Sequence, residues 1–206
     1  MAFSPRQLAA LTIATSFAAG LNVYATVATL GLLARFHVIE LPPSLNVVAD
    51  GWVIGGAGAL FLVEFVADKV PLFDLVWNAL QTFVRVPVAA LLAYGAASHL
   101  SLADQLLTAA LGSVVALAAH SGKIAARVAV TPSPEPFSNI ALSFAEDAFA
   151  VFLTWFATQH PFLAATIAIV LVVAIIAVIR IVVRALRTLF SGAGRQSTST
   201  VPHAGP

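Results

Sequence analysis

Glu64, Asp68, Asp74, Arg85, Lys123, Arg127, Glu146 and Asp147 are ionisable side chains set inside or beside long apolar runs. A lone Arg, Lys or Asp at mid-bilayer costs roughly 2.5–3.5 kcal/mol on insertion scales, so each of these groups needs a partner, a proton or water. Their spacing suggests where the partners are. Glu64 and Asp68 stand four residues apart, and so do Lys123 and Arg127, which puts each pair on one helix face. The signs are opposite. The spacing predicts that the two helices pack side by side, with ion pairs Glu64–Lys123 and Asp68–Arg127.

A second constellation is polar and partly uncharged. Asp74, Asn78, Gln81 and Arg85 follow steps of four, three and four, and Asn139, Ser143, Glu146 and Asp147 form a comparable stripe. Adjacent carboxylates such as Glu146 and Asp147 need a cation or a proton between them. Arg85 and this pair are expected near mid-depth, close to Asn22 and His120. One chemistry for the set is a central cavity, lined by Asn22, Asn78, Gln81, Arg85, His120, Lys123, Asn139, Ser143, Glu146 and Asp147, that binds a solute or relays protons. The plainer alternative is a buried Arg85–carboxylate lock. His120 is read first as a buried, hydrogen-bonded ring, and second as a proton relay or ligand. No His-x-x-x-His or Glu-x-x-His pattern accompanies it, so no metal is expected. No Gly-x-Ser-x-Gly elbow, P-loop or dinucleotide fingerprint occurs, so no cofactor is expected and an enzyme is the less favoured class.

The elements that must carry these groups are legible from composition. Apolar residues make up 60% of the chain and charged residues 9%, against about 25% charged in an ordinary globular domain. With no cysteine, disulfides and thiolate metal sites are excluded. The expected fold is an all-α polytopic membrane protein of six transmembrane helices, over about 8–33, 51–68, 72–97, 106–130, 138–158 and 162–189, with a disordered tail at 191–206. Gly20-Leu21-Asn22 interrupts the first span. Pro42-Pro43 ends it, and Gly51-x-x-x-Gly55 in the second span would let another helix approach closely. Ser138 or Asn139 is a candidate N-cap for the fifth span. Pro42 to Pro71 matches Pro132 to Pro161 in an ungapped register, which suggests three-helix units at 1–98 and 99–190. Three spans per unit would invert the second unit. Arg180, Arg184, Arg187 and Arg195 place the end of the last span, and with six spans both termini, on the cytoplasmic side of an inner membrane.

The segments GLNVYATVATLGLLARF, FLVEFVADKVPLFDLVWNALQTFVR and AAHSGKIAARVAVTPSPEPFSNIALSFAEDAF together resemble a bacterial membrane family, domain of unknown function 4126. The resemblance covers most of the chain short of its C-terminal tail. It implies that Glu64, Asp68, Lys69, Pro71, Arg85, Glu135, Pro136, Asn139, Glu146 and Asp147 lie in characteristic motifs, and it supplies no activity.

The favoured function is an integral transporter or channel-like protein for a small polar or ionic solute, with protons as a coupling ion. A non-catalytic membrane subunit or assembly factor is the second reading. A lipid-head-group enzyme or scramblase is the third, marked by a groove open sideways to lipid. The expected partners are the lipid bilayer, the solute and protons. A homo-oligomer is left open, and nucleic acid is not expected.

Overall fold

A computed structural model describes residues 3–69, 71–130 and 136–196. Its elements are α1 (Pro5–Leu21), α2 (Val23–Arg35), a short 3₁₀ helix (Pro43–Ala49), α3 (Gly51–Ala67), α4 (Pro71–Ala96), α5 (Leu102–Val130), α6 (Pro136–Gln159) and α7 (Pro161–Gln196). Four of these are long and apolar enough to cross a membrane: α4 over Val76–Ala96, α5 over Leu102–Val128, α6 over Ile140–Gln159 and α7 over Pro161–Ala185. The 3₁₀ helix and α3, bent by 59° at Asp50, make a fifth if counted as one broken span.

Local chemistry explains the boundaries. Ser4 caps α1 in a reciprocal capping box with Gln7, ahead of Pro5 at the first helical position. Asp50 accepts from the Trp52 N–H and starts α3. Pro71, Pro136 and Pro161 each open a helix, where a missing N–H costs nothing. The fifth span therefore begins at Pro136, so Ser138 and Asn139 fall inside its first turn and are not its cap. Helix α7 runs on to Gln196 and takes in the first residues of the stretch expected to be disordered; 197–206 lie outside the described residues.

The first expected span is corrected most. Residues 8–33 form two helices meeting at Asn22, which is extended (φ −149°, ψ 103°) between two helical neighbours. The contacts of α1 and α2 along α4 show their directions. At the outer end, Phe3, Pro5 and Leu8 face Glu40–Pro43 and Ser98–His99 across one cleft. Further in, Thr12 lies by Ala96, Ala97 and Thr108. At the break, Ala19 and Val23 pack with Ala89 and Ala116. Beyond it, Leu30 has returned to Leu92, Ala96, Leu45 and Val48. The outer ends of α1 and α2 thus share one end of the bundle, and Asn22 is the inner tip of a hairpin. The hairpin seats because α5 comes close. A Cβ on Gly20 would meet the Ala116 carbonyl and lie 2.7 Å from the Ala119 Cβ, so only glycine fits there.

The apolar core lies around the hairpin. Leu11, Ala14, Phe17, Ala18 and Leu21 of α1 pack with Ala150, Leu153 and Ala157 of α6 and Ala164 and Ala168 of α7. Alanine at these contacts lets helices approach without a hydrophobic driving force from water. The outward faces are large and apolar: Phe83, Leu91, Leu111, Val114, Ile169, Val170, Val173 and Ile181 are all exposed, as lipid contact requires. Among the described residues no helix makes the close approach expected at Gly51-x-x-x-Gly55: Gly51 faces the Arg35 side chain, and a Cβ on Gly55, Gly56 or Gly58 would meet nothing within 4 Å.

Candidate functional site

Around the Asn22 tip the apolar packing gives way to a network of charge. Arg85 of α4 donates to Glu64 of α3 and, at 3.3 Å, to the Gly20 carbonyl at the end of α1. Lys123 of α5 donates to Glu64 at 3.2 Å, to Asp68 at 2.9 Å and to the Leu21 carbonyl at 3.4 Å. Arg127 donates to the Asp68 carboxylate at 2.9 Å and to its carbonyl at 3.1 Å. It also reaches Glu146 of α6 at 2.8 Å. Asp147 accepts from the Asn22 side-chain amide at 2.8 Å. Glu64, Asp68 and Arg85 are 0% exposed, and no member of the network exceeds the 8% of Glu146.

The break in the first span supplies part of this chemistry. Helix ends carry unsatisfied carbonyls at the C-terminus and N–H groups at the N-terminus, equivalent to opposite partial charges. The C-terminal carbonyls of α1, at Gly20 and Leu21, meet the cations Arg85 and Lys123. At the N-terminus of α2, the Asn22 side chain accepts from the Ala25 N–H through its oxygen and donates to Asp147 through its nitrogen. Each helix end therefore faces the charge its dipole favours.

His120 sits beside Arg85 in a defined state. Arg85 lies 2.8 Å from its Nδ1, and a guanidinium can only donate, so Nδ1 is the acceptor. The proton is then on Nε2, which donates to the Asn78 carbonyl at 3.1 Å, with the Thr82 hydroxyl at 2.8 Å. The ring is neutral and both nitrogens are engaged, which fits its reading as a buried, hydrogen-bonded histidine. Gln81 donates to the Tyr24 hydroxyl at 3.1 Å.

Asn22, Asn78, Gln81, Arg85, His120, Lys123, Ser143, Glu146 and Asp147 are all buried, as are Glu64, Asp68 and Arg127. The side chains of Asp74 and Asn139 lie outside the described set, as does Glu135. Both expected ion pairs, Glu64–Lys123 and Asp68–Arg127, are made. The packing expected behind them is not: α3 and α5 bring no Cα atoms within 8 Å of each other. The long Lys and Arg stems bridge the gap, and Arg85 from α4 fills the space between. Arg85 also departs from its expected partner. It pairs with Glu64, while Glu146 pairs with Arg127 and Asp147 with Asn22. Thr82 was missed, although it lies four residues beyond Asn78 and so on the same face. Lys69, at the rim of this region, donates to the Phe65 carbonyl at 2.6 Å and covers the Phe65 ring, and makes no salt bridge among the described residues.

Among the described side chains, Arg85, Lys123 and Arg127 make ion pairs with Glu64, Asp68 and Glu146, and Lys69 at the rim interacts electrostatically with Asp147. Asp147 is the one of the four network carboxylates with no salt bridge among the described residues, and its Oδ2 has no hydrogen-bond partner there. Ser143, four residues earlier on the same face, has an unpartnered hydroxyl. An arrangement of this kind can take up one proton or one cation without dismantling the paired charges.

An open cleft of about 430 Å³ reaches the network from the side, between α1, α5, α6 and α7, the feature expected of the lipid-head-group reading. Phe17, Leu21, Ala126, Phe149, Leu171 and Ile175 form its walls, and Lys123 and Glu146 lie at its floor.

No curated protein and no solved structure matches the chain. One family model does, over residues 9–181, a stretch that holds the hairpin from Ala9 onward, all of the network and the cleft. The chain therefore belongs to the family described as domain of unknown function 4126.

Proposed function

We propose that this protein is a membrane transporter that moves an ionic or polar solute with proton coupling, and that Asp147 at the Asn22 tip is the coupling group. The observation that carries this is the hairpin tip: a helix broken inside the bundle, with both of its ends matched to buried charge and one carboxylate, Asp147, outside every salt bridge among the described residues. A structural lock pairs its buried carboxylates directly, because an uncompensated buried charge is strongly destabilising. A coupling site needs the opposite, a group whose charge changes while its neighbours stay paired. Discontinuous helices whose ends meet substrate and ion groups are the recurring device of secondary transporters.

The proposed topology is five crossings, the 3₁₀–α3 pair and α4 to α7, with α1 and α2 as a re-entrant hairpin. The bundle end reached by α7, with Arg180, Arg184 and Arg187, is cytoplasmic, and the start of α1 is on the opposite side. This topology replaces the six crossings and shared side of the termini expected from the sequence. An inverted repeat is retained only for the two-helix pairs α3–α4 and α6–α7. They run in opposite senses, and their second helices begin at the matched prolines Pro71 and Pro161.

The test is flux in proteoliposomes holding the purified chain, screened with protons, common cations and small metabolites. The expected result is proton-linked flux that disappears in Asp147→Asn while the variant keeps its melting temperature. Unchanged flux in Asp147→Asn would remove Asp147 from the mechanism.

A further inference from the structure

The side cleft carries a sharper statement about the solute, which rests on the transport reading above. Every residue of its α5, α6 and α7 walls lies within the apolar stretches long enough to cross a membrane, so the cleft opens at hydrocarbon depth. A solute reaching the network by this route arrives from the lipid. Its body must be apolar to lie against Phe17, Phe149, Leu171 and Ile175. A volume of about 430 Å³ falls in the range that holds small molecules.

The floor decides the head group. Lys123 has three N–H donors, and they are directed to Leu21, Glu64 and Asp68. No donor is left for an incoming anion. Glu146 differs. Its Oε2 takes both bonds from Arg127, whereas its Oε1 makes no hydrogen bond among the described residues and keeps some exposed surface. Among the described residues the cleft floor thus offers a spare acceptor and no spare donor. We propose that the cleft takes an amphiphile with a single apolar chain and a protonated amine head, the ammonium donating to Glu146 Oε1.

The test is native mass spectrometry of the full chain in maltoside micelles, with dodecylamine and dodecanoic acid offered at equal concentration. The expected result is at least a tenfold excess of amine adduct over acid adduct. The amine adduct should be lost in Ala145→Trp, which fills the cleft from an exposed wall position and leaves the charged network intact. It should fall at least tenfold in Glu146→Gln. Ala126→Phe fills the same cleft from α5 and serves if Ala145→Trp does not fold. Equal binding of amine and acid, no adduct at all, or amine binding that survives a folded cleft-filling variant would overturn the proposal. Flux that still depends on Asp147 in such a case would leave the transport reading standing.

Discussion

The α1–α2 junction and the middle of α5 face each other across the network and contribute to it in opposite ways. Helix α5 is unbroken from Leu102 to Val130 and offers side chains: His120, Lys123 and Arg127, at steps of three and four, lie on one buried face. The junction offers little but backbone. Gly20 and Leu21 present carbonyls to Arg85 and Lys123, and among the described residues Asn22 is the one polar side chain at the tip that reaches a charged one. The broken backbone sets where the charges must be, because helix-end groups cannot rotate away as a lysine can.

Removing a charge from the α5 side should have the largest effect. Lys123→Met takes one of the cations from Glu64 and its Nζ bond from Asp68, both fully buried. It is expected to destabilise the protein by about 3–5 kcal/mol, read as a lower midpoint of unfolding in mixed micelles. A smaller loss on the α5 side than on the junction side would reverse the comparison.

On the junction side the effects should be smaller and steric. Gly20→Ala sets a methyl group against the Ala116 carbonyl and the Ala119 Cβ, with an expected cost of about 1–3 kcal/mol in the same assay. Asn22→Ala removes the α2 cap and the bond to Asp147; loss of the cap alone is expected to cost about 1 kcal/mol. Asn22→Asp keeps a capping oxygen but sets a second carboxylate against Asp147. It should therefore bind one more proton than the wild type near neutral pH, which potentiometric titration of the purified protein would detect.

The smallest effect should come from the open glycines of α3. The Gly55→Ala methyl meets no described residue within 4 Å and lies inside α3, so it should stabilise the helix by about 0.5–1 kcal/mol. A clear loss of stability there would mean that α3 is covered by a partner in the folded state.

The difference between the two regions also explains what could be seen in the sequence. Lys123 and Arg127 announce themselves by spacing, as do Glu64 and Asp68, because a four-residue step survives in any helix. Their cross-helix pairing followed from charge alone. The partner of Arg85 did not, since Glu64 and the Glu146–Asp147 pair are equally good carboxylates until the helices are placed. The hairpin was hidden for a different reason. Residues 8–33 have the length and apolarity of one crossing, and the turn takes a single residue. Gly20-Leu21-Asn22 marked an interruption, but only the return of Leu30 to Leu92 and Ala96 shows that the chain reverses there. The cleft was illegible because no spacing rule predicts a gap between α5, α6 and α7.

The re-entrant hairpin is the claim on which the rest depends, and the chain is well suited to testing it because it contains no cysteine. Single cysteines at Ser4→Cys, His37→Cys and Arg187→Cys, probed with a membrane-impermeant maleimide in intact and inverted vesicles, report the side of each position. Ser4→Cys and His37→Cys are expected to label from the same side, and Arg187→Cys from the other. Labelling of Ser4→Cys and His37→Cys from opposite sides would make α1 and α2 one crossing and contradict the assignment of Asn22 as a hairpin tip.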